Sequence, residues 1–364
     1  VTLTDLQTPA LVIDLDVMER NLCRVADYAK QHGLRLRPHT KTHKIPALAK
    51  RQIELGAAGI TVAKVGEAEV MLGADPPDLL VAYPVLGQQK LDRLMEVARK
   101  TRVTVALDSA VAARQLSDAA KRAQLEVGVL AEVDVGLGRM GVEPGDELLE
   151  LIRAIQALPS LSLEGITFYP GHIKRLDDAG RKQLAELDAL LQNITSDLRR
   201  AGIAAPIVSG GSTPALFASH TIRGLNEIRP GTYIFNDRNT ADAGACSLED
   251  CAASILVTVV STARKNRIMV DGGSKTFSSD RPTASADVTF GYVTEDPEVR
   301  FFQMNEEHGY LDVSQAKRQF SIGDRLRIIP NHICVAMNLH EKVYGIRGNV
   351  VETVWNVEAR GKLQ

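Results

Sequence analysis

The run Val103-Thr104-Val105-Ala106-Leu107, followed by the amphipathic stretch Ala110–Arg122, sets the pattern on which the fold reading rests. A short apolar run is the mark of a strand buried on both faces, and the longer stretch with its near-3.6 period is the mark of a helix packed over it. The same unit recurs on either side. Strand-like runs are read at Ala10–Leu15, Gly59–Ala63, Leu79–Val85, Val127–Val133, Leu163–Tyr169 and Pro206–Ser209, with a further one at Leu34–Leu36. Helical patterns lie between them at Val17–His32, Ala47–Leu55, Gly66–Leu72, Gln88–Lys100 and Leu148–Leu158. Asp177–Ala201 is the clearest, with Leu184, Leu187, Leu190, Leu191 and Ile194 on one stripe.

Seven or eight such units over roughly 240 residues fit a (β/α)8 TIM-like barrel better than an open doubly wound sheet. After residue 245 the texture changes. Val257–Ala263, Arg267–Val270, Ala286–Val293, Arg325–Pro330, Lys342–Ile346 and Asn349–Trp355 read as strands with no long helical pattern between them. The expected organisation is therefore an α/β barrel over residues 1–245, its first few residues able to join the second domain, and a mostly β C-terminal domain over 246–364 that carries a metal site.

The chain has 364 residues, 45% hydrophobic and 24% charged, with a formal net charge of -2. That balance argues against nucleic acid or an anionic membrane as the main partner, and 4% aromatics leaves little for a base-stacking platform. Four cysteines at irregular spacing (Cys23, Cys246, Cys251, Cys334) do not make a disulfide framework. Thr2–Gln7 are mostly polar and the apolar run Ala10–Ile13 is short, so a signal peptide is not expected. The expectation is a cytoplasmic protein whose thiols are available as metal ligands.

Chemistry concentrates in the loops after the strands, where a barrel of this kind carries its active site. Arg37-Pro38-His39-Thr40-Lys41-Thr42-His43-Lys44 places Lys41 among basic groups that disfavour its ammonium, which would leave an amine able to attack a carbonyl; Lys44 competes for the role. A solvated basic loop is the bland alternative. Ser209-Gly210-Gly211-Ser212-Thr213, with Glu227-Ile228-Arg229-Pro230-Gly231-Thr232-Tyr233 soon after, could cradle a phosphate. Gly136-Leu137-Gly138-Arg139-Met140-Gly141 formally matches the dinucleotide fingerprint, but Pro144-Gly145 interrupt the helix it would require, so only Arg139 is retained, as a donor to an anionic oxygen. His332-x-Cys334, read in or beside a strand, puts imidazole and thiolate on one face and favours zinc. The competing reading is a structural histidine beside a buried cysteine. His308 and His340 are candidate supporting residues.

Taken in order, these motifs resemble the fold-type III pyridoxal phosphate enzymes, in the branch that holds D-threonine aldolase and metal-dependent D-serine dehydratase. The likeness runs from Thr8-Pro9-Ala10-Leu11-Val12-Ile13-Asp14 to Val351-Glu352-Thr353-Val354-Trp355. It implies that Lys41 carries pyridoxal 5'-phosphate covalently and that Arg139 contacts the phenolate side of the cofactor. It implies that Tyr169, Ser212, Thr213, Gly231 and Thr232 surround the phosphate. His332 and Cys334 would hold a divalent metal (zinc, manganese or magnesium) beside the β-hydroxyl of the substrate. A homodimer acting on a small amino acid follows from the same resemblance.

The implied reaction is aldol cleavage of a β-hydroxy-D-amino acid to glycine and an aldehyde. The alternative is dehydration to a 2-oxo acid and ammonia, in which Lys41 takes the Cα proton. Aldolases of the branch usually carry a histidine six residues after the tyrosine matching Tyr169. Arg175 stands there, which leaves His172, Arg175 or water as the base. Cys334 fits the dehydratase pattern, where aldolases often have aspartate, while the tail after Asn338 is closer to the aldolases. An amino-acid racemase shares the barrel and the lysine but does not need His332 and Cys334. A non-catalytic cofactor-binding protein would be a barrel alone, and without a cofactor on Lys41 a generic barrel hydrolase is what remains.

Overall fold

The computed structural model describes residues 1–283 and 288–364. By internal contacts the chain forms two compact units. One comprises Arg24–Lys41, Ile45–Gly231 and Gly361–Gln364, and the other Val1–Cys23, Thr42–Lys44 and Thr232–Arg360.

In chain order, β1 (Ala10–Asp14) precedes α1 (Leu15–Gln31), and the barrel strands are β2 (Arg35–Leu36), β3 (Ile60–Val62), β4 (Asp78–Val81), β5 (Arg102–Leu107), β6 (Val127–Glu132), β7 (Leu161–Thr167), β8 (Ile207–Gly210) and β9 (Glu227–Ile228). The intervening helices are α2 (Pro46–Glu54), α3 (Val65–Met71), α4 (Gln88–Ala98), α5 (Ala110–Ala123), α6 (Asp146–Gln156) and α7 (Asp178–Arg200). β2 to β9 form one parallel eight-stranded sheet, ordered β2-β9-β8-β7-β6-β5-β4-β3. It curls until its first and last strands approach. Thr61 N donates to Pro38 O at 2.8 Å, and His39 bridges Thr61 in parallel register. Because all the strands run the same way, the loops that follow them gather at one end.

Local signals account for the helices. Asp177 caps α7 by accepting from Gly180 N, Arg199 and Arg200 sit in its last turn, and Leu184, Leu187, Leu191, Ile194 and Leu198 are its buried stripe. Ser109 caps α5 in the same way through Ala112 N. Gly165 has φ +144°, and a Cβ there would stand 1.9 Å from Ile207 O, so only glycine lets β7 lie against β8 at this point.

The other unit holds β10 (Ala253–Arg264), β11 (Arg267–Val270), β12 (Gly291–Val293), β13 (Arg300–Met304), β14 (Gly309–Asp312), β15 (Arg325–Pro330), β16 (Lys342–Arg347) and β17 (Val350–Asn356). With β1 they make a nine-stranded sheet, β11-β14-β13-β12-β15-β10-β1-β16-β17. All its pairings are antiparallel except that of β1 with β16. The same unit holds the short helices α8 (Arg238–Asp242), α9 (Ser274–Phe277) and α10 (Ile333–Leu339).

The structure departs from the sequence expectation at three points. Ala10–Leu15 is no barrel strand, since Leu11 and Ile13 are fully buried in the β sheet between β10 and β16; an apolar run of this length does not encode its partner sheet. For the same reason the barrel is completed by β9, two residues long and unread in the sequence. By internal contacts Thr232–Ala245 groups with the β unit. β13 and β14 were also unread: Arg300–Met304 is mostly solvent-facing and lacks a clean alternation. In the strand expected over Ala286–Val293, Ala286 and Asp287 lie outside the described residues, and Gly291–Val293 is a strand.

A buried ionic chain crosses the barrel interior. Arg37, 1% exposed, meets Asp78 Oδ1 at 2.6 Å and Glu227 Oε2 at 3.0 Å. Ser209 Oγ donates to Glu227 Oε1 at 2.7 Å, and Arg229 donates to Ser209 Oγ at 2.5 Å and to Phe168 O at 3.1 Å. Replacing Arg37 with leucine would leave buried Glu227 and Asp78 with the more exposed Arg35 and Arg102 as cationic partners, at 3.4 and 3.8 Å. The expected loss is about 3–5 kcal/mol, checked by urea unfolding of Arg37→Leu beside the parent protein.

Candidate active site

The barrel unit gathers most of the sequence-predicted residues at the C-terminal ends of its strands. β2 leads into the turn Thr40–Thr42, in which Lys41 is exposed and its backbone N–H faces His39 Nδ1 at 3.4 Å. Two members of the basic cluster read around Lys41, Arg37 and Lys44, are engaged by other groups. Arg37 is neutralised inside the barrel by Asp78 and Glu227. Lys44 is buried in the other unit, where its Nζ donates to Ala359 O at 3.4 Å, so of the two lysines Lys41 is the accessible amine.

The loop after β6 uses up its own amides. Asp134 Oδ1 accepts from Gly136 N and Leu137 N at 3.0 Å, and Oδ2 accepts from Gly138 N at 2.9 Å, while Gly141 N donates to Asp108 Oδ2. These amides are not a phosphate cradle, which agrees with setting the dinucleotide fingerprint aside. The loop instead presents Arg139, whose guanidinium lies over the Tyr169 ring at 4.6 Å. Glu132, at the end of β6, is buried. That burial raises its carboxyl pKa, and the charges of Arg229 and Arg139 pull against the rise.

Tyr169 and His172 follow β7. His172 lies beside Gly136, and its Nδ1 is buried with no hydrogen-bond partner among the described residues. Arg175 turns outward, 3.9 Å from Asp177. After β8, a Cβ on Gly210 would meet the Phe168 ring at 2.2 Å, and Gly211 has φ +98°, so the chain turns sharply around two glycines to place Ser212. The Ser212 hydroxyl is buried and has no hydrogen-bond partner among the described residues, a donor suited to an anionic oxygen such as a phosphate's. Thr213 is half-buried beside it in sequence, and Gly231 ends the segment after β9. Thr232 opens the next portion of the β unit. Arg229 is the residue the sequence reading missed. Burial lowers its guanidinium pKa against the opposing pull of Glu227 and Glu132, and no motif signalled that it turns into the barrel.

The β unit brings His332 and Cys334 together, though on different local structure from that expected. β15 ends at Pro330, and Ile333–Leu339 is helical, so His332 precedes α10 and Cys334 lies in its first turn. Thr42 Oγ1 stands 3.2 Å from Cys334 Sγ, and His332 Nδ1 is 2.9 Å from Asp237 Oδ2. Among the described residues no group of three or more His, Cys, Asp or Glu is arranged to hold a metal. The nitrogen and sulfur donors of His332 and Cys334 do fit a borderline divalent ion such as zinc, which would take its remaining ligands from water or substrate. His340 is bonded to Thr276 O and His308 is exposed in the turn after β13, so neither supports this pair. Asp237 and Thr42 do so instead.

Comparison with known proteins places this geometry. The alanine racemase N-terminal domain model matches residues 13–239, and a serine dehydratase domain model matches 252–346. The 3-hydroxy-D-aspartate aldolase of Paracoccus denitrificans (strain Pd 1222) is 34% identical, over 99% of this chain and 93% of that protein. The crystal structure of D-threonine aldolase from Filomicrobium marinum has a TM-score of 0.94 at 32% identity, covering 100% of this chain and 98% of that one. A mutant of D-threo-3-hydroxyaspartate dehydratase, solved in the metal-free form, has a TM-score of 0.89 at 31% identity, covering 98% of both. Fold and relatives define a pyridoxal phosphate-dependent lyase on an alanine racemase-like barrel with a C-terminal antiparallel β domain. Within that class the chain belongs to the family of D-threonine aldolase, 3-hydroxy-D-aspartate aldolase and dehydratase, and D-serine dehydratase.

Burial disfavours the His332 imidazolium, but the Cys334 sulfur and the Asp237 carboxylate outweigh it and raise its pKa to about 11. A histidine raised in this way contributes stability that is whole below ~pH 6.5 and is lost as pH climbs towards the folded value. With 36% of the side chain exposed, water screens part of the effect. In chelator-treated protein the urea-midpoint gap between parent and His332→Ala should therefore narrow steadily above ~pH 6.5; a pH-independent gap would contradict this charge balance.

Proposed function

We propose that this chain is a pyridoxal phosphate- and divalent metal-dependent aldolase that cleaves β-hydroxy-D-amino acids of the D-threonine type to glycine and an aldehyde. The observation that carries the reading is His172, held by the loop after β7 with an unpartnered Nδ1 while Arg175 turns to the surface. Imidazole is suited to accepting a proton near neutrality, and the group to be deprotonated is the β-hydroxyl. Lys41 would hold the cofactor covalently through Nζ. Ser212 and Thr213 would donate to its phosphate, with Tyr169, Gly231 and Thr232 around them, and Arg139 would donate to its phenolate oxygen. His332 and Cys334 would hold the metal. When bound, the cofactor supplies an electron sink for the pair released at Cα, and the metal polarises the β-oxygen.

Dehydration is the second reading. Cys334, in place of the aspartate common among aldolases of the branch, favours it, as does the match of residues 252–346 to a serine dehydratase domain. In that reaction Lys41 takes the Cα proton. For either reading we infer a homodimer working in the cytoplasm on a free amino acid, without nucleic acid or membrane. No helix among the described residues is long and apolar enough to cross a bilayer.

The deciding experiment is product analysis with D-threonine and D-serine on cofactor-loaded enzyme, with and without a chelator. Glycine and acetaldehyde, lost on chelation, are expected; a 2-oxo acid with ammonia would replace the aldolase reading by the dehydratase one. His172→Ala should lower turnover by about 10²–10⁴-fold while keeping the cofactor absorbance. Lys41→Ala should lose both.

A further inference from the structure

Asp237 is 1% exposed, and both of its carboxylate oxygens are occupied. Oδ1 accepts from Thr240 N at 2.8 Å and from Thr240 Oγ1 at 2.7 Å, which caps α8. Oδ2 accepts from Ile333 N at 3.1 Å, at the start of α10, and stands 2.9 Å from His332 Nδ1. An ionised carboxylate only accepts hydrogen bonds, so the ring nitrogen facing it carries the proton. When a metal takes the place of the second ring proton, Nε2 is the nitrogen that gives that proton up and offers its lone pair. A single buried side chain thus meets the His332 ring and, through Ile333 N, the start of the helix that carries Cys334.

We propose that Asp237 is a positioning residue for a divalent metal held by His332 and Cys334, fixing the Nδ1–H tautomer so that Nε2 ligates. The proposal rests on the reading above that these two residues hold a metal. Asparagine cannot replace the carboxylate. Its one oxygen cannot serve both the His332–Ile333 side and the Thr240 side, and the amide N–H would confront a donor on whichever side it faces. A carboxylate behind a metal-bound histidine is worth about 10- to 100-fold in metal affinity.

The test is zinc affinity of the full-length protein loaded with pyridoxal phosphate, measured by competition with a chromophoric chelator and read beside Tm and circular dichroism. Asp237→Asn should bind zinc about 10- to 100-fold more weakly than the parent. Asp237→Ser retains a capping oxygen for α8 but no carboxylate for His332, and should show the same weakening if the asparagine variant folds poorly. Thr240→Val removes a bond to the same carboxylate without touching His332; it should lower Tm and leave zinc affinity at the parent value.

Parent-like affinity in both Asp237 variants would overturn the proposal. So would an equal weakening in Thr240→Val, because Asp237 would then be only a structural cap. A third outcome separates this inference from the reading beneath it. If His332→Ala and Cys334→Ala bind zinc as the parent does, the metal site itself is elsewhere and both statements fall.

Discussion

The ion chain from Asp78 through Arg37 to Glu227, continued by Ser209 and Arg229, is the constraint on which the barrel's working end depends. β2 and β9 are only two residues long, and each pairs through only two register positions with its partner. Backbone bonds from Arg37 N to Ile228 O and from His39 N to Pro230 O carry the pairing on towards Lys41 and Gly231. The buried charges add side-chain ties to this backbone pairing. Arg37 follows β2, Glu227 begins β9, Asp78 begins β4 and Ser209 lies within β8, so one network ties four strands at a fixed spacing. A buried pair of this kind contributes little net stability but is costly to break, which makes it a device for specifying geometry.

The same economy of donors governs the loops. The amides after β6 are consumed by Asp134 and Asp108, and that loop therefore offers a side chain, Arg139, rather than a backbone nest. Among the described residues, the buried hydroxyl of Ser212 on the loop after β8 and His172 Nδ1 on the loop after β7 have no hydrogen-bond partner. Native interiors rarely tolerate such groups unless something else supplies the partner. Both groups fall on loops that follow barrel strands.

In the β unit, His332 and Cys334 are ordered from behind. Asp237 holds the imidazole and the adjacent helix start, and Thr42, the residue after Lys41 in the chain, stands against the sulfur. Neither support was visible as a motif. Asp237-x-x-Thr240 reads only as a helix cap, and nothing in Thr42 points to a thiol nearly three hundred residues away. Of the histidines that the sequence offered as supports, His340 is bonded to Thr276 O and His308 is exposed, because proximity in sequence does not set proximity across a sheet.

What the sequence by itself determined was periodicity and order. The repeated apolar run and amphipathic stretch established a barrel, the loss of helical pattern marked a β-rich C-terminal part, and the loops after the strands were where the lysine, the glycine turns and the His-x-Cys pair fell. These features are local, and local spacing is what alternation and helical period report. Only the tertiary structure decided which sheet Ala10–Asp14 joins, that the two residues Glu227–Ile228 complete the barrel, that Arg37 is buried between carboxylates and does not crowd Lys41, and that His332 and Cys334 meet across a helix start rather than along a strand. Each of these depends on partners far apart in the chain, and a short apolar run or a lone charge fits several such partners equally well until the fold selects one.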